Sequence, residues 1–307
     1  YFVKGVKASI EQASMTDTNS GSVLHLGKIS YDATAKRIRI GTFRKEDSKT
    51  GKLSIDIGET TLDNLNTDSF ILNKQVKAGY LHSAGGSMDI WRSKDKQRNK
   101  GSIEFDNGFF DEAMVDRIEI GKTNIRIFDK ANPSNEPMLI EGVTFSANDI
   151  QRLYSGTRIR ELISNSNWNL GIDGFSFVSA DKIYQWTVKA LSIDKAAASM
   201  RIKSASMSPR VSEATFAAGL KVQKDLFNLM FQDIQITGLN TGSLLSGNLL
   251  EAKQVQLSPT LKIFNDRTVT PSTQSKVGNY PHQLLQKVSM PVHIDKMIIK
   301  NGMVAYT

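Results

Sequence analysis

One stretch, 234–306, constrains the fold more than any other. Apolar residues alternate with polar ones at Ile234/Ile236, Val255/Leu257, Leu261/Ile263 and Met303/Ala305, and short breaks of Gly, Pro, Ser and Asn separate the runs. A period of two sends successive side chains to opposite faces, so each run reads as a half-buried strand and each break as a turn between antiparallel neighbours. A helix would need its apolar residues three and four apart, and that spacing is missing here.

The rest of the chain contains looser copies of the same pattern. Lys74-Gln75-Val76 recurs as Lys253-Gln254-Val255, and 253 − 74 = 179. Val115-Asp-Arg-Ile recurs as Ile294-Asp-Lys-Met, and 294 − 115 = 179; Ile55 and Ile57 stand at that spacing from Ile234 and Ile236. Ser30-Tyr-Asp with Ile38-Arg-Ile matches Ser192-Ile-Asp with Met200-Arg-Ile at 192 − 30 = 162. The difference of 179 − 162 = 17 residues is assigned to an insertion in the second copy at 204–231, which holds Phe216, Leu220, Leu226, Phe227, Leu229 and Phe231. Internal repetition on this scale marks a structural unit used twice.

The spacing predicts a first β region over 1–130, a connecting region over 131–190 and a second β region over 191–307, continuous with the first. Strands are expected at 23–31, 37–40, 52–57, 61–66, 74–77, 87–91, 115–129 and 183–193. The polar stretches 14–22, 44–52 and 92–100 read as loops, and Asn107-Gly108 as a hairpin turn. A short helix is expected near 148–163, capped by Asn148, with Ile150, Leu153, Tyr154, Leu162 and Ile163 on one side and Gly156 weakening its middle. The fold class is all-β: elongated, bent antiparallel sheet or sheets built from repeated hairpins, with at most one or two short helices.

Chemistry-bearing motifs are scarce. Cysteine is absent, which excludes disulfides and thiolate metal sites. The histidines, His25, His82, His282 and His293, form no metal-ligand spacing, and the chain has no nucleophile elbow, phosphate-binding loop or dinucleotide fingerprint. Asp106 to Glu112 lacks the alternating acidic ligands of a calcium loop. The expectation is therefore a non-enzymatic protein with no cofactor, no metal and no nucleic-acid partner. Its net charge of +8, from 39 Lys and Arg against 31 Asp and Glu, suits an anionic surface such as phospholipid head groups. No apolar run approaches the roughly 18 residues of a membrane span. The chain opens with Tyr1 rather than Met and reads as a processed product or a piece of something longer, from which an upstream anchor could have been removed. The lack of an Asn-x-Ser/Thr acceptor favours a bacterial source.

The segment from Ile234-Gln-Ile-Thr-Gly-Leu through Ser243-Leu-Leu and Val255-Gln-Leu-Ser-Pro-Thr-Leu-Lys-Ile-Phe-Asn-Asp266 to Ile294-Asp-Lys-Met-Ile-Ile-Lys-Asn-Gly-Met-Val-Ala-Tyr306 resembles the repeating module of AsmA-like envelope proteins, particularly Bacteroidetes forms. The resemblance covers 191–306 best and recurs over 29–129. It implies a periplasmic, groove-like β protein, held to the inner membrane by one N-terminal helix and associated with phospholipid movement or outer-membrane homeostasis. It implies no catalytic residue. A groove of this kind would be lined by Ile55, Ile57, Val76, Ile118, Ile120, Ile125, Ile127, Ile234, Ile236, Val255, Leu257, Leu261 and Ile263. Its partners would be phospholipid or another envelope lipid, and envelope proteins. Alternation alone also fits a structural or protein-binding module with two sheets closed on a core. A carbohydrate-binding domain is a third reading, and it needs Trp91, Trp168 and Trp186 exposed together.

Overall fold

The computed structural model describes residues 5–16, 22–47, 53–69, 75–92, 112–154, 163–247, 249–271 and 291–307. They form one mixed sheet of 16 strands with four helices of six residues or fewer. The chain divides into two compact units, Tyr1–Asp173 and Gly174–Thr307.

In the first unit β1 (Lys7–Thr16), β2 (Ser22–Asp32) and β3 (Arg37–Asp47) make an antiparallel meander. Two short strands, β4 (Leu53–Ile57) and β5 (Thr60–Asp63), lie end to end along β3, separated by Gly58 and Glu59. They pair in turn with β6 (Gln75–Ser83) and β7 (Gly86–Arg92), β5 with β6 and β4 with β7. The long strand β8 (Glu112–Asp129) runs parallel to both β6 and β7, and β9 (Met138–Tyr154) returns antiparallel along its other edge. Helical residues 67–69 (α1) follow β5, and 163–165 (α2) precede β10 (Asn167–Val178), which stands between β9 and β11 in the strand order.

The second unit repeats the arrangement with fewer breaks. β11 (Tyr184–Asp194), β12 (Ser199–Pro209), β13 (Leu226–Thr237) and β14 (Leu250–Phe264) are successive antiparallel neighbours, with α3 (Glu213–Ala218) after β12 and α4 (Thr241–Ser246) after β13. β15 (Val292–Ile299) and β16 (Met303–Tyr306) then lie end to end, parallel to β14.

The two copies share pairing register residue by residue. Tyr31↔Ile38 becomes Ile193↔Met200, both moved by 162. Ile38↔Leu62 becomes Met200↔Ile236, where 236 − 62 = 174, and Leu62↔Leu81 becomes Ile236↔Val255. Leu81↔Ile118 becomes Val255↔Met297, where 297 − 118 = 179. Local chemistry repeats with it. Asp32 accepts from the Ala35 amide at 3.0 Å and Asp194 from the Ala197 amide at 2.9 Å, closing the same turn, and the left-handed residues Lys36 and Ala198 end it. Asn66 accepts from the Ser69 amide and Asn240 from the Ser243 amide, each at 3.1 Å. Asn240 also donates to Glu251 Oε2 at 2.8 Å, which ties α4 to β14. Replacing Asn240 with Ala should lower stability by about 1 kcal/mol, read as a shift in urea midpoint, because it removes an N-cap.

Several expectations change. The helix near 148–163 is not formed over 148–154, which belong to β9, with Arg117↔Asn148 and Val115↔Ile150 in register. The free edge of β8 supplies a full ladder of backbone partners, and that outweighs a weak helical periodicity. Residues 14–16 extend β1 and residues 44–47 extend β3 rather than forming loops. The sheet is mixed rather than antiparallel, because long connections bring β8 and β15 back in the direction of β6 and β14. Among the described residues there are four short helical segments where at most one or two were expected. The 179-residue offset holds for β8 against β15, while β4, β5 and β6 match β13 and β14 at 174 over their paired residues. The insertion between β12 and β13 is therefore 174 − 162 = 12 residues and holds α3. Phe227, Leu229 and Phe231 lie in β13 itself. The expected Asn107-Gly108 turn, the basic residues 93–100, helix residues 155–162, Lys74, His282 and the linker 272–290 lie outside the described residues.

Candidate functional site

Within each unit, among the described residues, substantial contacts run between hydrogen-bonded strands, with α4 against β14 as the exception. The described strands all belong to one hydrogen-bonded sheet, and its two faces are set by side-chain alternation.

In the second unit one face is apolar from edge to edge. A first row runs Ile193–Met200–Ile236–Val255–Met297. A second runs Trp186–Met207–Leu229–Leu261–Val304, and Phe227–Ile263–Tyr306 forms a third. On β14 the three rows share one parity, Val255, Leu261 and Ile263, while on β11 and β13 and between β15 and β16 the parity changes where a residue has positive φ. Ala190, Asp233 and Asn301 have φ of 51°, 49° and 49°, and the β13–β14 register shifts between Gln232 and Gln235. The extra residue of β13 between Gln232 and Gln235 re-aims that strand and returns its apolar side chains to the face they left. The opposite face carries Ser192–Arg201–Gln235–Gln256 and Lys189–Ser204–Gln232–Ser258.

The first unit has the same division. Tyr31–Ile38–Leu62–Leu81–Ile118 and Leu24–Lys45–Ile55–Met88–Ile125 are successive rows, with parity changes at Lys28 (φ 46°), at Gly58 and Glu59, and at Ala84 and Gly85. Gly85 is needed at this crease: its φ is +89° and an added Cβ would stand 2.2 Å from the Lys122 carbonyl oxygen.

Of the expected lining residues, Ile55, Ile57, Ile118, Ile120, Ile125 and Ile127 fall on the apolar face of the first unit, and Ile234, Ile236, Val255, Leu257, Leu261 and Ile263 on that of the second. Val76 does not: it alternates with Leu81, pairs with Ala113 and shares the opposite face with Ala78 and Tyr80. Trp186, Met207, Phe227, Leu229 and Phe231 complete the second unit's face and had no place in the expected lining. Leu65-Asn-Thr-Asp-Ser69 against Leu239-Asn-Thr-Gly-Ser243 is the signal that finds them, because 239 − 65 = 174 aligns Leu53, Ile55 and Ile57 with Phe227, Leu229 and Phe231.

The polar face of the first unit is a ladder of charge pairs. Arg126 grips Asp89 through two bonds at 2.7 and 2.6 Å, Arg44 donates to Asp56 at 2.8 Å, and Arg37 pairs with Asp63. Glu119 accepts from Tyr80 and from Arg117, and these bonds hold its carboxyl below the usual carboxylate range. Asp32 is lowered too, first by the Ala35 amide and then by Lys7. Lowered carboxylates stabilise the fold above the unfolded value of about 4 and lose that effect as pH falls through the folded value. The urea midpoint should therefore be level from pH 7 to 5 and fall below pH 4, with Glu119→Gln flattening the fall.

Among the described residues no arrangement for bond-making chemistry stands out. Ser14 Oγ lies 2.9 Å from His25 Nδ1 on an exposed strand pair, with no carboxylate positioning the ring among the described residues. No cluster of three metal-ligating side chains occurs among them either. The tryptophans form no common platform: Trp168 is 3% exposed, Trp91 stacks on Phe128 at 5.1 Å, and Trp186 belongs to an apolar row. No family model and no curated protein matches the sequence.

Proposed function

We propose that this chain is a non-enzymatic, periplasmic envelope protein of the AsmA-like type, whose apolar sheet face holds the acyl chains of phospholipid and serves lipid transfer or outer-membrane homeostasis. The observation that carries this reading is a sheet face that is apolar row after row: its Ile193–Met200–Ile236–Val255 row is buried, while the rows through Leu229, Leu261 and Trp186 are half-buried or exposed. In water such a face forgoes about 1.5–3 kcal/mol for each large side chain left unburied, and extended apolar patches of this kind mark binding surfaces. Acyl chains supply the missing apolar layer without requiring a polar partner at any lining position. The polar face, with its excess of Lys and Arg in the second unit, suits anionic head groups.

Adjacent positions on β14 give a direct test. A photoreactive benzoylphenylalanine at Leu261 faces the apolar side, and one at Lys262 the polar side. Irradiation in cells should link phospholipid at position 261 and not at 262. Equal labelling at both, or none at either, would refute the reading.

A further inference from the structure

The 12 residues by which the second copy exceeds the first between β12 and β13 fold into a pinned tip. Ser212 caps α3, its Oγ accepting from the Thr215 amide at 3.1 Å, and the chain leaves the helix through Gly219, whose amide donates to the Phe216 carbonyl at 3.1 Å. Gln223 then ties the tip to the loop after β14: its amide donates to the Thr270 carbonyl at 2.9 Å and its Nε2 to the Arg267 carbonyl at 3.4 Å. Between these anchors the run Leu220-Lys-Val-Gln-Lys224 leaves Lys221, Val222 and Lys224 exposed, Val222 at 40%, and Arg267 is exposed as well. Among the described residues no carboxylate pairs with Lys221, Lys224 or Arg267. Asp225 and Asp266 are half-buried and accept from Asn265 Nδ2 at 2.7 Å and from the Thr268 amide at 2.9 Å, and Glu213 stands in the first turn of α3. Residues 272–290, next in the chain, hold two lysines and no carboxylate, and residues 174–307 together hold 15 Lys and Arg against 8 Asp and Glu.

We propose that this tip, Lys221 to Lys224 with Arg267, docks the protein on the surface of an anionic phospholipid bilayer. Cations alone would suit any polyanion, and a lone exposed valine is ordinary on a protein surface. An exposed apolar side chain flanked by lysines, on a loop fixed at both ends, fits a surface that offers both phosphate and hydrocarbon. At the bilayer interface Val222 reaches the head-group boundary while Lys221, Lys224 and Arg267 meet anionic head groups. An acidic protein segment or polysaccharide supplies the charge without the apolar layer. The inference does not require lipid on the apolar sheet face.

Flotation of the full chain with vesicles of phosphatidylglycerol and phosphatidylcholine in equal parts tests this. Binding should weaken as salt rises from about 0.1 M to about 1 M, which shortens the screening length from about 10 Å to about 3 Å. Lys221→Glu with Lys224→Glu should lower affinity at least roughly tenfold, as should replacing the vesicles with phosphatidylcholine alone. Val222→Asp should lower it at least roughly threefold. Lys253→Glu with Lys300→Glu, the same change of charge elsewhere in the unit, should stay within roughly threefold of the unsubstituted chain. In that unsubstituted chain the vesicles should slow amide exchange across 220–224, a measurement independent of how any variant folds. No binding to the mixed vesicles, equal losses in the two lysine pairs, or protection that misses 220–224 overturns the proposal. Unchanged binding by Val222→Asp also overturns it, by assigning the tip to a soluble polyanion.

Discussion

Leu229→Asp combined with Leu261→Asp should reduce the phospholipid recovered with the protein at least tenfold while leaving the sheet intact. The two residues are cross-strand partners in the middle of the row that runs from Trp186 to Val304. Both are half-buried, so neither is enclosed in a core. Two carboxylates there remain hydrated when the face is empty, so the cost to folding stays at about 1–2 kcal/mol each. They make the same surface hostile to acyl chains, because a charge cannot enter an apolar contact without losing its water. In a closed sandwich the same pair would unfold the protein instead. Circular dichroism and extracted-lipid quantitation on one preparation separate the outcomes: lost lipid with retained β signal is expected, and lost β signal would contradict an open face.

Gly85→Val is the substitution with the largest expected effect on stability, roughly 3 kcal/mol or more. Valine is strained at a φ of +89°, and its Cβ would also press on the backbone at 2.2 Å from the Lys122 oxygen and 2.6 Å from Gly121. Neither obstacle can move without shifting β8, the strand that β6, β7 and β9 all share. Gly5, at φ +93° with nothing within 4 Å of its Cβ position, is the control: Gly5→Val carries the strain without the collision. Thermal melts should place Gly85→Val well below Gly5→Val. Equal melting temperatures would show that the crease is not tightly packed.

The all-β class and most strands of the first copy were legible because period-two alternation is a local property. Runs such as Ile234/Ile236 and Leu261/Ile263 carry it without help from the rest of the fold. β9 was not legible in the same way. Its Gly142 interrupts the alternation, Asn148 resembles a cap, and its strand state depends on the edge of β8, which no local window contains. The parallel pairings were hidden for the same reason, since direction is decided by long connections. Twelve of the thirteen expected lining residues share the apolar face of their own unit, and Val76 fails because its neighbours Lys74 to Val76 were matched to Lys253 to Val255. Paired register shows that Val255 corresponds to Leu81, five positions away, and an odd slip in a strand exchanges the faces. The parity changes at Lys28 and Ala190 were equally invisible, because neither residue type announces a left-handed backbone.

The central claim is that the apolar face is occupied by lipid in the cell. Native mass spectrometry of the protein purified in mild detergent from membranes, with organic extraction of a parallel sample, measures this directly. The account predicts adducts with phospholipid masses and a stoichiometric acyl-chain content in the extract. Protein that is folded, free of adducts and free of extractable lipid in every preparation would contradict it.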